Sequence, residues 1–368
     1  MGRQLFVCNS VYQIFVALWI KYDLCSDEVS DIIISDHMND GSTLADRLRE
    51  TALFGHVYYV ESLAFARYRV KQNRLDRIGM SLRPGRALAG YVRLQERYTQ
   101  LYTANVDAFA QLLFDALAHK NPDIGLFLYE DGMFTYSRLF EKDYLSTRIP
   151  VSGRFKKFLH RAIYRKKTIY SNVDKLLVFH PENMLWKADD MEISALEKVR
   201  YRDPDFLNLC NRVFAYSDSE DLYDKKYIFL EESFFAEGTP INDLEVLNQI
   251  ADRIGKENIM VKIHPRNPVN RFAEQGYQTN RNTSVPWEVI LMNVDMSDKV
   301  LITVSSSSIL NPILIFGMEI HAFSIYECVD HAHCRSRLLS GEMWEIAKML
   351  FMKYSSLITI CRSIDEIR

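Results

Sequence analysis

Lys262-Ile263-His264-Pro265 sets an imidazole between two cations, Lys262 before it and Arg266 after it. The proline fixes φ and offers no backbone donor, which leaves the histidine few orientations. That combination suits a phosphate that must be held and then stabilised as it leaves. Four consecutive serines, Ser305–Ser308, follow the apolar run Lys299–Val304 and precede Ile309–Phe316, which reads as an apolar helix. Hydroxyls, backbone N–H groups and a helix N-terminus would then converge as a phosphate cradle. A third element is Glu130-Asp131-Gly132, two acids placed directly after the apolar run Gly125–Tyr129. Acids at the end of a buried strand are costly unless they lie in a loop or do work. The work would be that of a general base taking a proton from a hydroxyl. Gly132 permits a tight turn, and the plain alternative is a turn that caps the next helix.

These groups need elements to position them. Gln4–Cys8 reads as a strand, Asn9-Ser10 as turn and cap, and Val11–Lys21 as a helix. Ile32–Ile34 and His56–Val60 read as further strands, with a helix over Ser42–Thr51 between them. Apolar strands that do not alternate argue for a parallel sheet covered on both faces, with ligands at the carboxyl ends of its strands. Asn9 and Ser10 would then face the ligand. Lys175–Phe179, Arg212–Tyr216, Tyr227–Leu230 and Glu319–Ser324 also read as strands. Asp203–Asn211 reads as a connector or short helix, Asp243–Ile254 as an amphipathic helix closed by Gly255, and Ser340–Tyr354 as a closing helix. A second His-Pro, His180-Pro181, lacks cationic neighbours and reads as structural.

The chain has 368 residues, 48% hydrophobic and 25% charged, enough for two domains with their own cores. A net charge of −3 argues against nucleic acid as a partner. Six scattered cysteines without CxxC spacing fit a reducing compartment. No signal sequence and no apolar run long enough to span a bilayer is visible, so a cytoplasmic location is expected, peripheral on the inner face of a membrane if anything docks it there. Docking has two candidates, Arg67–Arg97, with nine Lys/Arg against two acids, and Arg154–Lys167, with seven Lys/Arg and no acid. Both are basic and amphipathic, suited to an anionic membrane surface; the alternative is a pair of solvated helices. Cys328, Asp330, His331, His333 and Cys334 fit no zinc spacing, so no metal is expected. GxGxxG and GxxxxGK[ST] are both absent, which disfavours dinucleotide oxidoreductases and P-loop NTPases.

Taken in order, the three chemical segments resemble the D/E-D/E-G, HP and S/T-S/T motifs of bacterial sialyltransferases and polysialyltransferases. The opening FVCNSVYQIFVAL is similar to the start of glycosyltransferase family 52 and related capsule sialyltransferases. The resemblance implies an α/β fold of GT-B type, two Rossmann-like domains with a cleft between them. Residues 1–210 would form the acceptor domain, 211–345 the CMP-donor domain and 346–368 a C-terminal helix and tail. It also implies CMP-sialic acid as donor substrate, no cofactor, and inverting single displacement onto a glycan acceptor (capsular polysaccharide or lipooligosaccharide, lipid-linked or not).

Carried over by position, Asp131 would be the base, with Glu130 as the other acid able to serve. His264 would bind or protonate the departing CMP phosphate, and Ser305, Ser306, Ser307 and Ser308 would hold it. Lys262 and Pro265 complete the motif on the donor side, and Glu288 matches an acid that binds the cytidine ribose hydroxyls. Asn9, Ser10 and Gly132 fall on the acceptor side of the cleft. In some family 52 members the base precedes the HP segment, where Glu231, Glu232, Glu237 and Asp243 lie. A homodimer is compatible with that family. The competing readings are a GT-B transferase of another donor, CMP-Kdo or a UDP-sugar, and a non-catalytic binding protein of capsule assembly.

Overall fold

The structure is a computed structural model, which describes residues 2–141, 173–187, 191–217, 223–239, 241–280, 282–330 and 341–367. The basic stretch 154–167 lies outside the described residues, as do His331, His333 and Cys334 of the cysteine-histidine cluster. Two compact units divide the chain. The first comprises Met1–Asp131, Arg138–Glu197 and Arg212–Phe214, the second Gly132–Ser137, Lys198–Asn211 and Ala215–Arg368.

The first unit is built on a parallel sheet of β1 (Arg3–Cys8), β2 (Val29–Ser35), β3 (Val57–Val60), β4 (Gln100–Thr103), β5 (Gly125–Tyr129), β6 (Lys175–Val178) and β7 (Glu192–Ala195). Its spatial order is β3-β2-β1-β4-β5-β6-β7. Leu5 to Cys8 and Ile32 to Ile34 are buried without alternation, because helices cover both faces. The helix Val11–Trp19 leaves β1 with Ser10 as its cap, the Ser10 hydroxyl accepting from Gln13 N at 3.2 Å.

The second unit repeats the plan with β8 (Tyr227–Leu230), β9 (Ile259–Lys262), β10 (Gln278–Thr279), β11 (Val300–Thr303), β12 (His321–Ser324) and β13 (Ile358–Ile360). The order is β10-β9-β8-β11-β12-β13, again parallel throughout. In each sheet the chain winds outward in one direction and then restarts on the other side of its first strand. That places a switch point between β1 and β4 and another between β8 and β11, where loops at the carboxyl ends diverge and a ligand fits.

Two expectations are corrected. Arg212–Tyr216 is not a strand; it is the end of the helix Pro204–Phe214, closed by Ala215 at φ 50°. The Asp203 side chain caps that helix by accepting from Asp205 N and Phe206 N, and Phe206, Cys210, Val213 and Phe214 are buried at helical spacing. The apolar alternation in RVFAY hid that spacing. The segment after the serines is also not an α-helix over 309–316. It is a 3-10 turn at Ser307–Ile309 followed by a π turn at Pro312–Phe316. Pro312 has no N–H to give to the Ser308 carbonyl four residues back, and the Trp287 indole N–H donates to that carbonyl instead, at 3.0 Å.

Candidate functional site

In the first unit the two acids after β5 part company. Glu130 is buried; Oε1 accepts from the Tyr12 hydroxyl at 2.9 Å and Oε2 from Phe179 N at 3.0 Å. Its carboxylate therefore ties the first helix and the end of β6 to β5. Asp131 is half-buried and lies one residue further on, with Gly132 turning the chain at φ 63°.

Asp131 closes a ring of hydrogen bonds. Its Oδ1 accepts from Gln13 Nε2 at 2.9 Å and its Oδ2 from Asn105 Nδ2 at 3.1 Å. Gln13 Oε1 accepts from the backbone N–H of Asn9 at 2.7 Å, which forces the amide end of Gln13 toward the carboxylate. Asn105 Oδ1 accepts from Asn9 Nδ2 at 3.0 Å, and the same Nδ2 donates to Asp107 Oδ2 at 3.0 Å. The ring spans the β1 and β4 ends, the switch point of the first sheet. Within it Asn9 Oδ1 is buried without a hydrogen-bond partner among the described residues. Burial raises the Asp131 pKa above the usual carboxylate range, while the Gln13 and Asn105 hydrogen bonds restrain the rise.

In the second unit β8 ends in Glu231-Glu232, and each carboxylate reaches a different neighbouring loop. Glu231 Oε2 accepts from His264 N at 2.9 Å, at the end of β9. Glu232 Oε1 accepts from Ser305 N at 2.6 Å and from the Thr303 hydroxyl at 3.0 Å, and its Oε2 from the Ser305 hydroxyl at 2.8 Å, at the end of β11. Both acids are buried, and burial pushes the Glu232 pKa up to about 7 against the hydrogen bonds from Ser305 and Thr303. Burial likewise raises Glu231, against hydrogen bonds from Asn267 and His264 and the charge of Arg271. Arg271 forks onto Asp243 at 2.9 and 2.6 Å and touches Glu231 at 3.4 Å. One arginine thus holds two buried acids, and one of those acids holds the histidine loop.

His264 Nδ1 accepts from the Arg266 backbone N–H at 3.2 Å, so the neutral ring carries its proton on Nε2. Burial, with the Arg266 and Lys262 charges, pushes its pKa down to about 3. The ring is therefore a neutral imidazole, a hydrogen-bond donor through Nε2. Lys262 is buried, and its carbonyl accepts from Glu231 N at 3.0 Å.

The serine run divides its work. Ser305 is buried and committed to Glu232, while the Ser306 hydroxyl accepts from Ser308 N at 3.2 Å as the cap of the 3-10 turn. Among the described residues the Ser307 and Ser308 hydroxyls make no hydrogen bond, and both residues are half-buried. Glu288 is buried in the first turn of the helix Trp287–Asn293 and accepts from Asn311 Nδ2.

Sequence reasoning missed Gln13 and Asn105 as partners of Asp131, and Asp107 as a partner of Asn9, because β4 is short and half polar and its loop went unassigned. Glu231 and Glu232 carry the same signal that marks Glu130 and Asp131, acids directly after a buried strand.

Among the described residues no helix is long and apolar enough to cross a membrane. No curated protein matches the chain by sequence. Its fold is similar to that of an alpha/beta-galactoside alpha-2,3-sialyltransferase from the luminous marine bacterium Photobacterium phosphoreum. That likeness has a TM-score of 0.52 at 11% identity and covers 100% of this chain and 99% of the other. Arabidopsis thaliana UGT89C1 complexed with UDP aligns over 95% of this chain and 90% of its own, at 11% identity and a TM-score of 0.48. The family model of alpha-2,8-polysialyltransferase (POLYST) matches residues 4–320, a span that takes in Asp131, His264 and Ser305–Ser308. With two parallel Rossmann-like sheets of GT-B type and that match over most of its length, the chain belongs to the alpha-2,8-polysialyltransferase family and is a glycosyltransferase.

Proposed function

We propose that the chain transfers sialic acid from CMP-sialic acid to a hydroxyl of a glycan acceptor, with inversion at the anomeric carbon. The observation that carries this reading is Asp131, a carboxylate at the end of a buried strand held by two carboxamides and raised by burial. It takes the proton of the acceptor hydroxyl as the hydroxyl oxygen bonds to the anomeric carbon. The bond from that carbon to the phosphate oxygen breaks, and CMP leaves with the electron pair. His264 donates through Nε2–H to the departing phosphate, and Ser307 and Ser308 supply hydroxyls to it. Glu231 and Glu232 act through the loops they hold. Glu130, bonded to Tyr12 and Phe179, serves the scaffold, which leaves Asp131 the better base. Because CMP is a monophosphate already bonded to the sugar, hydrogen bonds and local cations suffice to stabilise it as it departs.

The deciding experiment is calorimetric titration with CMP and then UDP, with EDTA present throughout. Micromolar CMP binding without UDP binding is expected. UDP binding in its place would refute the donor assignment, and binding of neither would refute the transfer reading.

His264→Ala should lower kcat by about a hundred- to a thousandfold with the fold intact, the usual cost of one donor aimed at developing charge. Since His264 is pushed down to about 3, kcat/KM should show no limb at the ordinary histidine pKa. A limb there that disappears in His264→Ala would mean that the imidazolium is the working form. Unchanged turnover would remove His264 from the mechanism.

A further inference from the structure

The basic stretch that the reaction does not use forms an outward helical pair in the first unit, Ser62–Lys71 and Arg74–Leu82. Its inner side is anchored: Phe65 is fully buried, with its ring against Tyr91 at 5.1 Å and Phe109 at 6.2 Å. Ser81 and Leu88 are buried as well. The outer side sets bare aliphatic side chains among cations. Val70 is 73% exposed and Leu75 78%, with Tyr68 and Ile78 exposed beside them in sequence. Leu75 and Ile78 share one face of their helix by their spacing. Around them Arg67, Lys71, Arg74, Arg77, Arg83 and Arg86 are all exposed, and Asp76 is the single acid between residues 62 and 90. Asn73 starts the second helix by accepting from Asp76 N at 2.9 Å, so the acid is placed at a helix N-terminus, where its charge is favourable.

We infer that this face docks on an anionic lipid bilayer. Six cations match an anionic surface, and bare aliphatic side chains among them enter the acyl boundary, where burial removes them from water. A polyanionic glycan would reward the cations but gain nothing from exposed Val70 and Leu75, so the aliphatics favour the bilayer. This inference does not depend on the donor or on the transfer step.

The test is sedimentation of the full chain with vesicles of phosphatidylcholine alone and with vesicles in which part is replaced by phosphatidylglycerol. Binding to the anionic vesicles only is expected, weakening with salt. Val70→Asp combined with Leu75→Asp should reduce it at least about tenfold, and Arg74→Gln combined with Arg77→Gln about fivefold per cation removed. All four positions are exposed, so both variants should keep the parent melting temperature and CMP binding. No binding to anionic vesicles would overturn the inference, as would binding that Val70→Asp/Leu75→Asp retains in full. Vesicle-independent binding of a soluble polyanion that only the arginine variant loses would reassign the face to a glycan.

Discussion

Asp131→Asn should lower kcat by about a hundred- to ten-thousandfold, the range expected for removal of a general base. Donor affinity should barely move, because the proposed role is proton transfer and not binding. The structural cost should be small. The substituted side chain would present an amide N–H where Oδ2 now accepts from Asn105, so the Asn105 carboxamide must turn over, at about 1 kcal/mol for a disturbed neutral hydrogen bond. Against that, the substitution removes a charge that burial disfavours. The sign follows from the direction of the shift. An acid whose folded pKa is raised binds more protons folded than unfolded, so its contribution falls as pH rises through the unfolded value, and at neutral pH the ionised group costs stability. The variant should therefore melt near the parent temperature while being nearly inactive. The acid limb of the parent kcat/KM should lie above the ordinary aspartate pKa. A large drop in melting temperature, or a loss confined to donor affinity, would make Asp131 a scaffold or binding residue.

Arg271→Ala should cost about 3–5 kcal/mol of stability, measured by denaturant unfolding near neutral pH. Its guanidinium is the cation between two buried carboxylates, Asp243 and Glu231; burial acts most strongly against its charge, yet the hydrogen bonds and charges of Asp243 and Glu231 together outweigh burial and raise its pKa. Without it both acids would be buried with less compensation. The Glu231 pKa would rise further above its unfolded value, so the deficit should be largest at neutral pH and shrink toward the acid range. Combining Arg271→Met with Glu231→Gln and Asp243→Asn removes all three charges and should recover most of the loss. A deficit that ignores pH, or one below about 1 kcal/mol, would mean that the cluster is solvated and holds nothing.

Apolar strands such as Phe6–Val7, Ile32–Ile34 and Leu301–Ile302 are legible in the sequence because a parallel sheet buried on both faces leaves runs, not alternation. Asp131, His264 and the serines are legible because charged or small polar groups at the ends of such runs are costly to place by chance. What stayed hidden depends on distant pairing. Nothing local to Asn105 or Gln13 announces a shared carboxylate, and nothing local to Ser305 says its hydroxyl is committed to Glu232, 73 residues earlier. Ile309–Phe316 looked helical because apolar composition outweighed one proline, whose missing donor the Trp287 ring replaces from outside the segment.

The carboxamide ring around Asp131 has a further chemical consequence. Gln13 and Asn105 orient the carboxylate, but an amide nitrogen that only donates cannot receive a proton from it. A proton taken up by Asp131 has no relay through these two partners. In the proposed role that proton would wait on the carboxyl group until water or the departing product reaches it, so the enzyme would reset at the pace of that exchange, and a solvent isotope effect on the return step would report on it.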